Sequence, residues 1–369
     1  MIDTVRLKSP EISYKLAKYI ESQSFLRQGI DMVSGEIIYT ITTKQLLGTY
    51  DSNISVIIEQ GCWEYNKYKG VAEKSGSEYY IVIEASVNKL IYGHNVYGGS
   101  NDKNQLYLLL RLVEIALDCE FPDFCDWQVV RLDYAENFEI GEQNVYNYII
   151  NLNNSYWGRR KIKKFDKTGI YVPGTTTTLK LYSKGQEFNK HDKKRLKSHL
   201  DNVELTKISN IANNILRVEL EIKKKKIIYD LGRLHTIREL DIEYYMSLYE
   251  TEVNKLIKLT GDNAYYYKYD DVKNILFKNY SGSMANSLLG TWLKFSLEGE
   301  EKTKGIMSKA TFYKHRKMLI ECNCSWNNTI VEKREDNIID FVPYLNSRYR
   351  QCNDDYKIDE LLKKYEIAI

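Results

Sequence analysis

Three short segments of this 369-residue chain alternate residue by residue, and nothing else in the sequence narrows the fold as much. In LRVELEI, Arg217, Glu219 and Glu221 fall on one side of an extended chain and Leu216, Val218, Leu220 and Ile222 on the other. VVRLDY places Arg131 and Asp133 on a shared side. LKLYSK does the same for Lys180, Tyr182 and Lys184, with Leu179 and Leu181 opposite. Successive side chains of a strand point to opposite faces of a sheet. Each segment therefore predicts a strand with one apolar and one charged face. In YYIVIEAS, Glu84 closes an apolar run. If these strands are neighbours, one sheet face gathers Glu84, Asp133, Glu219 and Glu221 with Arg131, Lys184 and Tyr182.

Clustered carboxylates raise one another's pKa unless a cation is close. A hard divalent ion, Mg2+ or Mn2+, takes carboxylate oxygens as ligands and would relieve the repulsion. Asp133, Glu219, Glu84 and Glu221 are the candidate ligands. Beside a tyrosine and a lysine, such an ion completes the parts for phosphoryl transfer: an electrophile made more positive, a counter-charge and a phenolate nucleophile. The plainer alternative is a solvated face of cross-strand ion pairs worth roughly half a kcal/mol each. Among 31 tyrosines, rarity does not single out Tyr182.

Charge adds a partner. The net charge of +3 conceals a basic block: residues 155–240 hold 21 Lys and Arg against 9 Asp and Glu, and the remainder holds 32 against 41. The block contains RRKIKK, KKRLK and KKKK, so Arg159, Arg160, Lys161, Lys163 and Lys164 are expected to meet a phosphate backbone. Arg131, Lys180 and Arg217 on the charged strands are expected to assist.

Six scattered cysteines form no metal-binding pattern and read as reduced thiols. No apolar run approaches the ~20 residues of a membrane span. The first residues are charged and do not resemble a signal peptide. These features predict a protein of the cytoplasm, with no membrane partner. Neither a dinucleotide fingerprint nor a phosphate-binding loop is present.

The pattern predicts strands through most of residues 1–100, a helix at 104–118, a strand at 126–138, a short helix at 141–153, a hairpin around Pro173-Gly174, a basic helix at 190–214 and a strand at 214–223. Helices dominate after about 235. Strands and helices without regular alternation predict an α+β fold with a mainly antiparallel sheet. Residues 1–235 are expected to form one domain and 236–369 a helix-rich second one.

In the second, MSKATFYKHRKMLIE has Ser308 as an N-cap, Phe312, Met318 and Leu319 inward, and Lys309, Thr311, Lys314 and Arg316 available to DNA. With SLLGTWLKF at 287–295 before it, the segment is similar to a helix-turn-helix.

The segments IVIEASVNKLIYGHNVYGG, VVRLDYAEN, TLKLYSK and ILRVELEIK occur in an order that resembles the gene II replication initiators of filamentous phages and their phage and plasmid relatives. The likeness runs from residue 1 to about 235 and continues weakly to the end. It implies a site-specific endonuclease of rolling-circle replication, which nicks the plus strand at a double-stranded origin, becomes joined to the 5′ phosphate through a tyrosine and later rejoins the displaced single strand. Carried over, Tyr182 matches the nucleophile and Lys184 its partner. Asp133 and Glu219 match acidic positions that look like metal ligands, with Glu84 a further candidate. Host helicase and polymerase are the implied protein partners. His94 and Asn95 lie in GHNVYGG, where His94 could line the site, although a turn built on Gly93 and Gly98 also explains the motif. The chief alternative from the residues is a non-catalytic sequence-specific DNA-binding protein.

Overall fold

The computed structural model describes residues 1–23, 25–30, 37–47, 49–66, 71–97, 103–154, 161–260, 269–326, 360 and 363–364. Among them are ten strands: β1 (Ile2–Lys8), β2 (Phe25–Ile30), β3 (Ile37–Leu47), β4 (Asn53–Asn66), β5 (Val71–Ser86), β6 (Gln128–Glu139), β7 (Lys163–Phe165), β8 (Gly169–Val172), β9 (Thr177–Ser183) and β10 (Ile215–Lys223). They join in one sheet in the order β2-β3-β4-β5-β1-β6-β10-β9-β8-β7, with every neighbouring pair antiparallel. The α+β expectation holds.

The alternating segments sit side by side in the middle of that sheet. Glu219 pairs with Ala135 on β6 and with Lys180 on β9, and Glu221 pairs with Asp133. The register therefore brings the charged residues of three strands to one face, because a one-residue slip would send them to the other. Opposite them, Leu132, Val218, Leu220, Leu179 and Leu181 are buried in the main core. That core also takes the apolar faces of helices Asn104–Leu117 and Glu142–Asn154.

On the charged side, a smaller core of Val96, Phe188, Leu196, Leu205, Ile208, Ala212 and Ile215 seats two helical stretches over one end of the sheet. The basic helix expected at 190–214 is thus two pieces. The first runs from Lys184 through Leu196 with a wider turn at Phe188–Asp192, and the second is Asn202–Asn213. The second begins at Asp201, whose side chain accepts the Glu204 N–H at 2.8 Å. That N-cap satisfies one of the amides a helix start leaves unpaired, and it marks where the continuous helix breaks.

The change of character near 235 is a change of element type and not of core. Ile237, Tyr245, Tyr249 and Val253 belong to the main core, and the Tyr249 ring lies 5.2 Å from that of Tyr134. A separate core holds Val272, Leu276, Leu288, Trp292, Phe295, Phe312, Leu319 and Trp326. In it, helix Gly282–Glu298 is followed by a short helix, Glu300–Ile306, before Lys309–Glu321. Between the helix that contains 287–295 and the 309–321 helix the chain therefore forms one further short helix.

Candidate active site

A groove of about 820 Å³ opens between the charged sheet face and the 184–196 stretch. Asp3, Lys180, Tyr182 and Glu219 line it from the sheet, and Lys190, His191 and Asp192 from the helical side. Its floor is an ordered ion network. The Tyr182 hydroxyl donates to Glu219 Oε2 at 3.0 Å, and Lys180 Nζ donates to Glu219 Oε1 at 2.6 Å. Lys180 also reaches Asp133 at 3.2 Å and Glu221 at 3.4 Å. Arg131 grips Asp133 with two nitrogens at 2.7 and 2.6 Å and turns a third to Glu84 at 3.0 Å.

These contacts set the protonation states. Burial, and then the nearby Asp3 and Asp133, push the Glu219 carboxyl above its ordinary value, against the pull of Lys180 and Arg217. Burial and the Glu219 charge push the Tyr182 phenol well up. Burial works against the Lys180 charge, but the three acids around it outweigh that and raise its pKa.

A second network lies at the groove's end. Arg217, one of the largest fully buried side chains, donates to Asp3 Oδ1 at 2.6 Å and to the Asn95 carbonyl at 2.6 Å. Asn95 bridges Asp3 at 2.6 Å and Lys184 at 2.5 Å. Lys184 is also ion-paired with Glu187, which Lys89 holds from the other side at 2.9 Å. Burial lowers the Lys184 pKa more than Glu187 restores it. Asp3 keeps its charge: burial opposes it, but Arg217 and the Asn95 hydrogen bond overcome burial and lower its pKa.

Placed against the expectations, Tyr182, Lys180, Asp133, Glu219 and Glu221 come together. Glu84 stands on β5, two strands from Asp133 with β1 between, tied to Arg131 and approached by Arg6 at 4.0 Å. Lys184 is fully buried and bound to Asn95 and Glu187, because β9 ends at Ser183 and Lys184 begins a helix. Arg217 corrects an expectation outright: it is fully buried and structural, so it has no surface to offer DNA. Arg131 and Lys180 are likewise engaged by acids.

His94 is buried in the turn, its ring 4.5 Å from that of Tyr97. Gly93 takes φ +80°, and a Cβ there would come within 2.8 Å of the Leu196 side chain and 2.9 Å of the Tyr50 ring. The turn explains the glycine, and it delivers Asn95 to the network.

Lys161, Lys163 and Lys164 are exposed, whereas Arg159 and Arg160, like Gly98, lie outside the described residues. On the 309–321 helix, Lys309 and Lys314 are exposed. Ser308 caps the helix, its side-chain oxygen accepting the Thr311 N–H at 3.2 Å, and Arg316 is held inward by Glu300 at 2.7 Å.

The sequence reading missed Asp3, Lys89, Glu187 and Asn137, whose side-chain oxygen accepts from Arg217 at 3.3 Å. Asp3 faces the site through a register shift in β1 between Ile2 and Thr4, and alternation counting cannot see a bulge.

The donors around Lys180 suit Mg2+ or Mn2+ in kind, being carboxylate oxygens. Their arrangement is filled by the Lys180 ammonium, and among the described residues no three acidic, histidine or cysteine side chains converge as a metal site. A divalent ion at this place has to displace that ammonium.

Comparison with known families is consistent with this architecture. The family model for the N-terminal region of the gene II replication-associated protein matches residues 22–242, more than half of the chain. The chain belongs to this family of replication-associated proteins, the initiators of the gene II type. No curated protein matches it. Among the described residues, no helix is long and apolar enough to cross a membrane.

Proposed function

We propose that the groove nicks and rejoins one strand of origin DNA, with Tyr182 as the nucleophile and Glu219 as its base. The observation that carries this reading is the Tyr182 hydroxyl donating at 3.0 Å to a buried carboxylate whose other oxygen is held by Lys180. A phenol with a raised pKa attacks poorly unless a base takes its proton, and a carboxylate with a raised pKa is the better base.

In the proposed step, the Tyr182 proton passes to Glu219 Oε2 as the phenolic oxygen bonds to phosphorus. The P–O3′ bond breaks with its electron pair on the 3′ oxygen, which takes up a proton from solvent water. The phosphotyrosyl bond retains the energy of the broken linkage, so rejoining is the reverse reaction. Lys180 keeps Glu219 oriented and places positive charge near the phosphate. Were Mg2+ or Mn2+ to displace the ammonium, Asp133, Glu219 and Glu221 would hold it, and the ion would take over from Lys180 both the orientation of Glu219 and the positive charge near the phosphate. Such an ion supplies charge to the phosphate oxygens. We place the reaction in the cytoplasm of a bacterial host, with host helicase and polymerase extending the freed 3′ end.

The test uses supercoiled DNA of the replicon that encodes the protein, incubated with Mg2+, denatured and digested. A nucleotide-bearing peptide at Tyr182, absent in Tyr182→Phe and after chelation, is expected. An adduct on a different tyrosine overturns the nucleophile, nicking without an adduct overturns the covalent mechanism, and an adduct that survives chelation overturns the metal.

A further inference from the structure

The β7–β8 hairpin forms the open side of the groove. Phe165 pairs with Gly169, and Gly169 pairs with Tyr182, so Phe165 lies on the Tyr182 side of the sheet, one strand beyond a residue that has no side chain. Neighbouring strands are ~4.8 Å apart, which puts Phe165 and Tyr182 roughly 10 Å apart along one register row. Phe165 lines the groove and is 46% exposed. Its aromatic neighbour Tyr171 meets it edge-on, with ring centroids 4.9 Å apart and planes at 62°.

The turn that carries the exposed ring is tied down by hydrogen bonds to its backbone. The Phe165 carbonyl accepts from Thr168 Oγ1 at 2.7 Å, the Ser183 N–H donates to the Thr168 carbonyl at 2.9 Å, and Asn153 Nδ2 donates to the Asp166 carbonyl at 2.7 Å. Lys163, on the same face as Phe165 by register, is exposed, and Lys190 lines the opposite wall. An apolar ring held out to solvent between two lysines has no role in the core. It does match the physical requirements for gripping single-stranded nucleic acid, a stacking surface flanked by cations that track the backbone.

We propose that Phe165 is the stacking platform for one unpaired base next to the phosphate presented to Tyr182. The inference rests on the groove being the nicking site, yet its test needs no cleavage. The probe is a ~20-nucleotide oligothymidylate carrying one 2-aminopurine, titrated into full-length protein bearing Tyr182→Phe.

Binding should quench the 2-aminopurine. Phe165→Ala should weaken binding about tenfold and abolish the quenching, and Phe165→Trp should restore both. An abasic strand should bind equally well with and without the Phe165→Ala change, because only the backbone remains to be held. Equal binding of the base-containing probe by Phe165→Ala, or a tenfold loss that persists on the abasic strand, overturns the proposal. Tighter binding of the matching oligouridylate overturns it in favour of RNA. Failure of the nucleophile assignment appears separately, as a nick or adduct retained in Tyr182→Phe, and leaves this comparison readable.

Discussion

The two oxygens of Glu219 face different partners, Lys180 on one side and Tyr182 on the other, so one carboxylate both anchors a cation and accepts a proton. It must be ionised to do the second. With its pKa raised by burial and by Asp3, nicking should rise with pH through a value above the ordinary ~4.3 of glutamate. Glu219→Gln cannot accept the proton. Its nicking rate should fall about 10²–10⁴-fold, and the acid limb of the pH–rate profile should disappear. The same shift has a consequence for stability. A carboxyl whose folded pKa is raised contributes stability that is full below its unfolded pKa and lost as pH rises through the folded value. The urea midpoint of Glu219→Gln, measured against wild type, should therefore move in the variant's favour as pH climbs through that window. A difference that is flat with pH would contradict the raised pKa.

At the scale of elements, the site depends on how closely β8 passes β9. A Cβ added at Gly169 would stand 3.0 Å from the Leu181 carbonyl oxygen and 3.0 Å from Tyr182 Cβ. The first is backbone held in a ladder and cannot turn aside. Gly169→Ala should cost about 1–3 kcal/mol in urea denaturation through overpacking. Because the strand carrying the nucleophile has to give, nicking should also slow about tenfold, with DNA affinity nearly unchanged. A stability loss with an unaltered nicking rate would show that β8 moves and Tyr182 does not. The helical stretch across the groove is fixed by equivalent means. Lys89 and Arg195 both pair with Asp192, at 2.9 and 3.0 Å, and Arg195 also donates to the Gly93 carbonyl at 2.6 Å.

Over the whole molecule, the C-terminal core shares no buried residue with the main core, which predicts that it unfolds in an event of its own. Leu288 is fully buried in the C-terminal core, and Leu288→Ala should cost about 3 kcal/mol there. Calorimetry should show one transition moving down and the other in place, with nicking of single-stranded substrate retained. A joint shift of both transitions would mean that the cores are energetically coupled. Inside the C-terminal core, Glu300 accepts from Trp326 Nε1 at 2.8 Å and from Arg316, and Thr291 shares a 2.7 Å hydrogen bond with His315. Two side chains that the helix pattern sends outward or leaves unassigned are thus internal struts. The basic surface remaining on that helix is Lys309, Lys314 and Lys317.

The period-two pattern by itself determined the charged strands and their apolar backs, because a side chain's face follows from its place in an extended chain and needs no partner to define it, and the turn residues Pro173-Gly174 marked the hairpin. The motif order likewise reached the family. Tertiary structure alone decided which charges meet. It set Lys180 among three carboxylates, which the sequence read as places for a metal. It turned Arg217 from a DNA contact into a buried clamp on Asp3, and brought Asp3 to the site through a bulge. Pairing between ions depends on register, bulges and burial, which are fixed only when strands far apart in the chain are joined. Phe165 follows the same logic. Its three-residue strand is too short to carry a readable pattern, and only the ladder to β9 places it on the same sheet face and register row as Tyr182.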